Sequence, residues 1–91
     1  MYRVRRDVHA VELDGEILVW DPSAQQLHRL NTSAAQVWLA LGAWCSLAEL
    51  VEGLADSLGL SAADIHADVQ GYVTELRGSE LLDEKTVVTR A

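Results

Sequence analysis

Three histidines and one cysteine are the side chains of this sequence that could take part in acid–base, nucleophilic or metal chemistry near neutral pH. His9, His28 and His66 fall on different predicted elements, and no two of them have a His-x-x-x-His spacing. Since zinc needs three or four converging ligands, this spacing does not favour a metal site. Cys45 has no histidine close to it in sequence and precedes a predicted helix start, where a small buried residue is the simpler interpretation. We therefore expect no catalytic residue, no metal and no cofactor.

The carboxylates are numerous but do not form a recognisable catalytic pair. Glu49, Glu52 and Asp56 follow the polar side of a predicted helix, which is typical of a solvated face. Gly53, Gly59, Gly71 and Gly78 are isolated within or beside predicted helices, so the sequence has no Gly-rich phosphate loop. An enzyme acting on its own is not expected.

Length and composition indicate one folded domain. The chain has 91 residues, of which 49% are apolar and 23% are charged, as in an ordinary globular protein. A single cysteine cannot form an internal disulfide. No apolar run approaches the roughly 20 residues that span a bilayer, and the first residues lack the apolar segment of a signal peptide. We therefore expect a cytoplasmic protein without a membrane partner.

The distribution of charge argues against a nucleic-acid partner. The formal net charge is −7, but residues 7–84 contain only Arg29 and Arg77 against all fourteen acidic residues, a balance of −12. Three arginines open the chain, and residues 1–7 are expected to form a solvated basic arm. A body this acidic repels phosphate groups.

Alternation and turn signals predict three strands in the first third of the chain. Residues 8–13 alternate, and Asp14-Gly15 is a strong signal for a two-residue hairpin before a second strand at residues 17–20. A turn that contains Pro22 leads to a third short strand at residues 26–30. The short connections favour an antiparallel meander.

Three helices are predicted after the strands. Apolar residues at positions i, i+3, i+4 and i+7 over residues 34–41 predict the first helix, with Asn31 or Thr32 as its cap. A capping-box spacing begins the second helix at Ser46, and the same signal begins the third at Ser61, which is expected to end near Gly78.

The predicted fold class is α+β, with a three-stranded antiparallel sheet followed by three helices (βββααα). A short turn at Gly59-Leu60 joins the second and third helices, so the whole resembles a winged helix-turn-helix. Leu81 and Leu82 are expected to fold back on the core. Residues 84–91 are expected to form a C-terminal tail, and the sequence leaves open whether it is a short strand or a frayed end.

Two local features favour the binding of a peptide or protein. The three-stranded meander has an exposed edge, which is a template for an added strand. On the third helix, Asp64, Asp68, Gly71 and Glu75 form a narrow stripe beside the apolar face. A mid-helix glycine costs roughly 0.5–1 kcal/mol relative to alanine. Gly71 therefore suggests the close approach of a partner, close packing within the domain, or no constraint at all.

Several short segments occur in an order that resembles a known family. They are VWD at residues 19–21, LHRLN at 27–31, AAQVW at 34–38, LAEL at 47–50, DV at 68–69 and LL at 81–82. This order, over roughly residues 8–83, is similar to that of the PqqD-like family, whose members are small leader-binding domains called RiPP recognition elements. In that family the domain binds the leader segment of a ribosomally made precursor peptide and presents the core peptide to a modifying enzyme.

The resemblance implies a position for the leader. It would add as a fourth antiparallel strand beside the third strand, in the groove which that strand forms with the third helix. The implied peptide-binding residues are Gln26, Leu27, His28, Arg29 and Leu30 on the strand and Asp64, Asp68, Val69, Tyr72, Val73 and Leu76 on the helix. Many members have a glycine and an aromatic residue where this chain has Gln25, Gln26 and Leu27. Tyr72 or Trp20 would then supply the aromatic wall of the groove.

The resemblance also implies a non-catalytic, free-standing adaptor of the lasso-peptide type, which delivers a precursor to a leader peptidase and an ATP-dependent cyclase. The alternative within the family is the pyrroloquinoline quinone type, which serves a radical SAM enzyme. Outside the family, a winged-helix nucleic-acid binder and a structural subunit of a larger enzyme are competing hypotheses. The exposed edge leaves both a monomer and a dimer open.

Overall fold

Two small sheets and three helices make up the fold of residues 1–85. The computed structural model describes residues 1–85. In chain order the elements are β1 (Tyr2–Val4), β2 (His9–Leu13), β3 (Glu16–Asp21), β4 (Gln26–Leu30), α1 (Thr32–Ala40), α2 (Leu47–Leu58), α3 (Ala62–Gly78) and β5 (Leu82–Glu84). The predicted α+β fold, with an antiparallel β2-β3-β4 sheet followed by three helices, is confirmed. Most of the predicted tail, residues 86–91, lies outside the described residues.

In the β2-β3-β4 meander, β3 and β4 have one covered face, whereas every residue of β2 is exposed. Asp14 and Gly15, with φ of 52° and 81°, form the tight turn that joins β2 to β3. On the inner face Ile17 and Val19 are 2% and 0% exposed, because α1 packs against β3. Leu30 lies opposite Ile17 in the register and is buried with it. The inner face therefore supplies one wall of the core.

The connection between β3 and β4 contains a residue in the left-handed region. Gln25 has φ of 53°, a conformation that costs a residue other than glycine about 1 kcal/mol. It occupies the turn in which the resemblance leads one to expect glycine. The buried carboxylate of Asp21 holds this turn, since it accepts hydrogen bonds from the Ser23 hydroxyl at 2.7 Å and from the backbone N–H groups of Ser23 and Ala24 at 3.1 and 3.4 Å.

The three helices begin where the sequence predicts. The side chain of Asn31 caps α1, and Ser46 with Glu49 forms a complete capping box at the start of α2. Gly59 ends α2 in the left-handed conformation, with φ of 67°. Ser61 precedes α3, but its side chain makes no capping hydrogen bond. No helix within residues 1–85 is both long enough and apolar enough to cross a membrane.

The core lies between the inner sheet face and the helices. Its least exposed large side chains include Leu41 after α1, Leu50 in α2 and Leu81 after α3, at 2% or less. Leu82 is half-buried and packs against this cluster. The prediction that Leu81 and Leu82 fold back on the core is therefore confirmed.

The N-terminal segment belongs to the fold. Strand β1 pairs antiparallel with β5, and Tyr2 exchanges two backbone hydrogen bonds with Cys45, at 2.8 and 3.0 Å. The guanidinium of Arg3 lies 4.4 Å from the ring centroid of Trp44. Arg3 and Arg5 have side chains only 20% and 17% exposed. The expectation of a solvated arm is therefore wrong for these arginines, because strand pairing and ion pairs hold them against the domain.

Candidate functional site

A groove runs between the edge strand β4 and helix α3. It has a volume of about 300 Å³ and is lined by Leu27, His28, Arg29, Leu30, Ala34, Tyr72, Glu75, Leu76, Ser79 and Leu81. Its deepest apolar residues belong to the core: Leu76 and Leu81 are 3% and 1% exposed. Within residues 1–85 no strand pairs with the outer side of β4, so an edge of backbone donors and acceptors lies along the groove.

A second cavity adjoins this groove at Tyr72. It has a volume of about 180 Å³, and residues of all three helices and of the α2–α3 turn line it, namely Ser33, Gln36, Val37, Leu54, Leu58, Leu60, Ile65, Asp68, Val69 and Tyr72. Because Tyr72 also lines the β4–α3 groove, its half-buried ring forms the boundary between the two cavities.

The structure brings together most of the residues that the resemblance implied. Six of them line the β4–α3 groove, which are Leu27, His28, Arg29, Leu30, Tyr72 and Leu76. Asp68 and Val69 line the second cavity instead. Gln26 and Asp64 are exposed and line neither cavity, and Val73 is buried in the core. Whether each of these residues contacts a peptide stays a prediction.

Four groove residues were not among the implied set. Ala34 and Leu81 were expected only in the core, and Ser79 gave no signal in the sequence. Glu75 was part of the stripe on the third helix, so its spacing could have placed it in the site. The groove thus collects residues from β4, α1, α3 and the segment before β5, which only the tertiary fold brings together.

The aromatic wall of the groove is Tyr72 and not Trp20. Successive residues of a strand face opposite sides of the sheet. Since Val19 is fully buried on the inner face, Trp20 points outward, where it is 40% exposed. Trp20 is not among the residues that line the groove, so the alternative that it forms the groove wall is wrong.

The charges at the groove favour a ligand with basic groups. The guanidinium of Arg29 donates two hydrogen bonds to Glu16, at 2.7 and 2.9 Å, and these bonds lower the pKa of Glu16. No ion pair found in the described part of the chain involves Glu75 or Asp68. Nε2 of His28 is buried and makes no hydrogen bond within these residues. The cationic group of the groove is thus neutralised, while the carboxylates of α3 are not.

Within residues 1–85, the histidines and the cysteine, which could take part in acid–base, nucleophilic or metal chemistry, do not come together in one site. The three histidines lie on β2, β4 and α3. Burial raises the pKa of the half-buried Cys45 thiol, which disfavours the reactive thiolate. Among residues 1–85, no group of three or more His, Cys, Asp or Glu side chains could hold a metal ion.

Gly71 lies at an open position of α3, and this position allows a prediction about the stability of the protein. A Cβ atom placed there would meet no atom of the described chain within 4 Å, so close packing within the domain does not account for the glycine. Gly71→Ala should therefore raise the free energy of unfolding by about 0.5–1 kcal/mol in urea denaturation. Gly53→Ala, at an equally open position of α2, is the matched control and should give a similar gain. A loss of stability in Gly71→Ala alone would contradict the open environment.

Comparisons with known proteins place this geometry in a family. The family model for coenzyme PQQ synthesis protein D (PqqD) matches residues 16–82. The structure of TbiB1 in complex with the TbiA(beta) leader peptide has a TM-score of 0.77 and 15% identity, covering 93% of this chain and 99% of that one. A lasso peptide synthetase B1 complexed with the leader peptide has a TM-score of 0.72 and 20% identity, covering 91% and 98%.

No curated protein matches the sequence. At 15% and 20% identity, the two solved structures show a shared fold. The family model, in contrast, matches the sequence itself. The match begins at Glu16 in β3, includes all three helices and extends to Leu81 and Leu82. The chain therefore belongs to the PqqD family.

Proposed function

We propose that this protein is a non-catalytic adaptor that binds the leader segment of a ribosomally synthesised precursor peptide and presents it to processing enzymes in lasso-peptide biosynthesis. The observation that carries the proposal is the groove of about 300 Å³ beside the unpaired edge of β4. An exposed strand edge next to an apolar groove is the arrangement that binds peptides by strand addition.

The leader would lie antiparallel to β4. Backbone hydrogen bonds to the β4 edge would dock it without regard to sequence, and every second side chain would enter the groove toward Tyr72 and Leu76. Glu75 at the groove and Asp68 at the second cavity would each favour a basic residue of the leader. The carboxylates of α3 would then contribute to peptide binding. They would oppose the binding of DNA, because DNA-binding surfaces need basic groups.

The comparisons support the lasso type over the pyrroloquinoline quinone type. Both similar solved structures contain a leader peptide, and one of them is a lasso peptide synthetase B1. The processing partners would then be a leader peptidase and a cyclase.

Titration with a leader peptide tests the proposal. A fluorescent peptide that spans the leader of the neighbouring precursor gene should bind saturably with a Kd tighter than about 10 μM, and a scrambled peptide of the same composition should not. The competing winged-helix hypothesis is tested with duplex DNA at low salt, where electrostatic binding is strongest. If the protein retards DNA in a gel and binds no leader peptide, the adaptor proposal is wrong and the winged-helix hypothesis is favoured.

A further inference from the structure

One buried polar atom of the β4–α3 groove has no partner. Nε2 of His28 is shielded from solvent and makes no hydrogen bond within residues 1–85. Tyr72, Glu75 and Ser79 line the same groove and carry groups that could bond to an imidazole, but none of them bonds to this atom. Because buried polar atoms of folded proteins nearly always have a partner, the unpaired nitrogen points to a group that a ligand supplies.

The register of the sheet directs the His28 side chain toward the groove. His28 lies opposite Val19, which is fully buried on the inner face of the sheet, and opposite residues of paired strands share a face. Leu30, two residues further along β4, lies on the same face and is buried. Opposite residues of antiparallel strands have Cβ atoms about 4.5–5.5 Å apart. A leader strand added to β4 would therefore place one of its side chains beside His28, on the groove side.

The imidazole of His28 can turn a nitrogen toward such a side chain. The ring is half-buried, so part of it borders the groove. The torsion about its Cβ–Cγ bond is soft and roughly two-fold. A half-turn exchanges the positions of the ring nitrogens with those of the ring carbons. A nitrogen can thus meet a bound leader without a movement of the strand.

The surroundings of His28 favour a hydroxyl group as its partner. Glu75 and the net charge of −7 would repel a carboxylate. A cationic group would be costly to bury against Leu76 and Leu81 and is better placed at the exposed Glu75. A carboxamide has more donors and acceptors than one ring nitrogen can satisfy. A hydroxyl group can donate or accept a single hydrogen bond, so it pairs with either tautomer of the imidazole.

Resting on the proposed leader binding, we propose that His28 is a specificity-determining residue, which forms a hydrogen bond with the hydroxyl group of a serine, threonine or tyrosine at the leader position opposite it. A site built to hydrogen-bond a hydroxyl group rejects an analogue without one, because the polar atom of the site is then left buried and unpaired. The strand edge and the apolar groove would accept many leaders, whereas His28 would select among them.

A double-mutant cycle tests this contact. The leader of the neighbouring precursor gene is compared with variants in which each serine, threonine or tyrosine is replaced singly by alanine, valine or phenylalanine. One replacement should weaken binding to the wild-type protein by roughly tenfold. The same replacement should change binding to His28→Phe, which keeps a planar ring without nitrogens, by less than about twofold. Fluorescence anisotropy measures each affinity.

Two further variants make the cycle specific to the His28 nitrogen. His28→Gln restores a polar group in the groove and should discriminate between the two leaders more strongly than His28→Phe does. His66→Phe changes an exposed histidine of α3 that lines neither the groove nor the second cavity, and it should discriminate as the wild-type protein does.

The wild-type titrations can overturn the proposal by themselves. If the wild-type protein binds the leader and no hydroxyl replacement weakens that binding, solvent satisfies His28 and the proposal is wrong. Equal losses in the wild-type protein and in His28→Phe would place the hydroxyl contact elsewhere and would also overturn it. A wild-type protein that does not bind the unmodified leader would instead contradict the adaptor function itself.

Discussion

Replacing Tyr72 with alanine should weaken leader binding by roughly 30-fold, about 2 kcal/mol, which is typical of a central aromatic contact. Tyr72 is the one residue that lines both the β4–α3 groove and the second cavity, so a substitution there changes both. Alanine would merge the two cavities and remove the aromatic wall. Fluorescence anisotropy with the labelled leader peptide measures the change.

Two further substitutions make the Tyr72 result specific. Tyr72→Phe keeps the ring and should bind leader nearly as wild type does. His66→Ala changes an exposed residue of the same helix that lines neither cavity and should have no effect. Because Tyr72 also packs against the core, Glu75→Lys is a second groove variant that leaves the core untouched and reverses an exposed charge. Wild-type affinity in both Tyr72→Ala and Glu75→Lys would place the leader elsewhere.

The sequence predicted the elements whose signals are local. Asp14-Gly15 marks the β2–β3 hairpin and Ser46 with Glu49 marks the start of α2, and both appear in the structure with the expected geometry. Strands β1 and β5 were missed because each has three residues and they pair across nearly the whole chain. Such short strands carry too few residues for a periodicity, and their pairing depends on the packing of everything between them.

Some residues of the candidate site could likewise be predicted from the sequence, and others could not. Residues of β4 and α3 could be named because the resemblance supplied the pairing of a strand with a helix. Ala34 and Leu81 could not be assigned to the groove, since the sequence shows that an apolar residue is buried but not that it also lines a cavity. The exposure of Val11 and Leu13 was equally hidden, because alternation identifies two faces of a sheet without showing which one is covered.

One polar cluster connects the stability of the fold to the position of β4. The guanidinium of Arg5 donates hydrogen bonds to Asp21 at 3.1 Å, to Asp7 at 2.6 Å and to the backbone carbonyl of Glu80 at 2.8 Å. Asp21 in turn holds the turn that begins β4, and Glu80 lies between two groove residues in the chain. The cluster therefore ties the turn before β4 and the segment after α3 to the residue that follows the N-terminal strand.

Asp21 should make the stability of the protein depend on pH. The hydrogen bond from the Ser23 hydroxyl, those from the Ala24 and Ser23 backbone N–H groups and the charge of Arg5 lower the pKa of Asp21, against the opposing effect of burial. A carboxyl group whose pKa is lowered by folding contributes stability above its unfolded pKa, which is near 3.9. That contribution is lost as the pH falls through the folded pKa. The contribution of Asp21 to the free energy of unfolding should therefore be constant from neutral pH down to about pH 5. It should decrease when the pH is below about 4.

Asp21→Asn should lower the melting temperature at pH 7 by roughly 5–10 °C, because it leaves the half-buried Arg5 without its buried counter-charge. The difference between wild type and variant should narrow below about pH 4, because Asp21 binds a proton there in the unfolded chain before it does so in the folded protein. Asp83→Asn is the control, since Asp83 pairs with Arg3 at 3.6 Å with its side chain 43% exposed, and an exposed pair contributes little. Asp21→Asn should also bind leader less tightly at pH 7, because the turn that positions β4 is loosened. A difference in melting temperature that stays the same from pH 7 to pH 3 would show that the charge of Asp21 is not what stabilises this cluster.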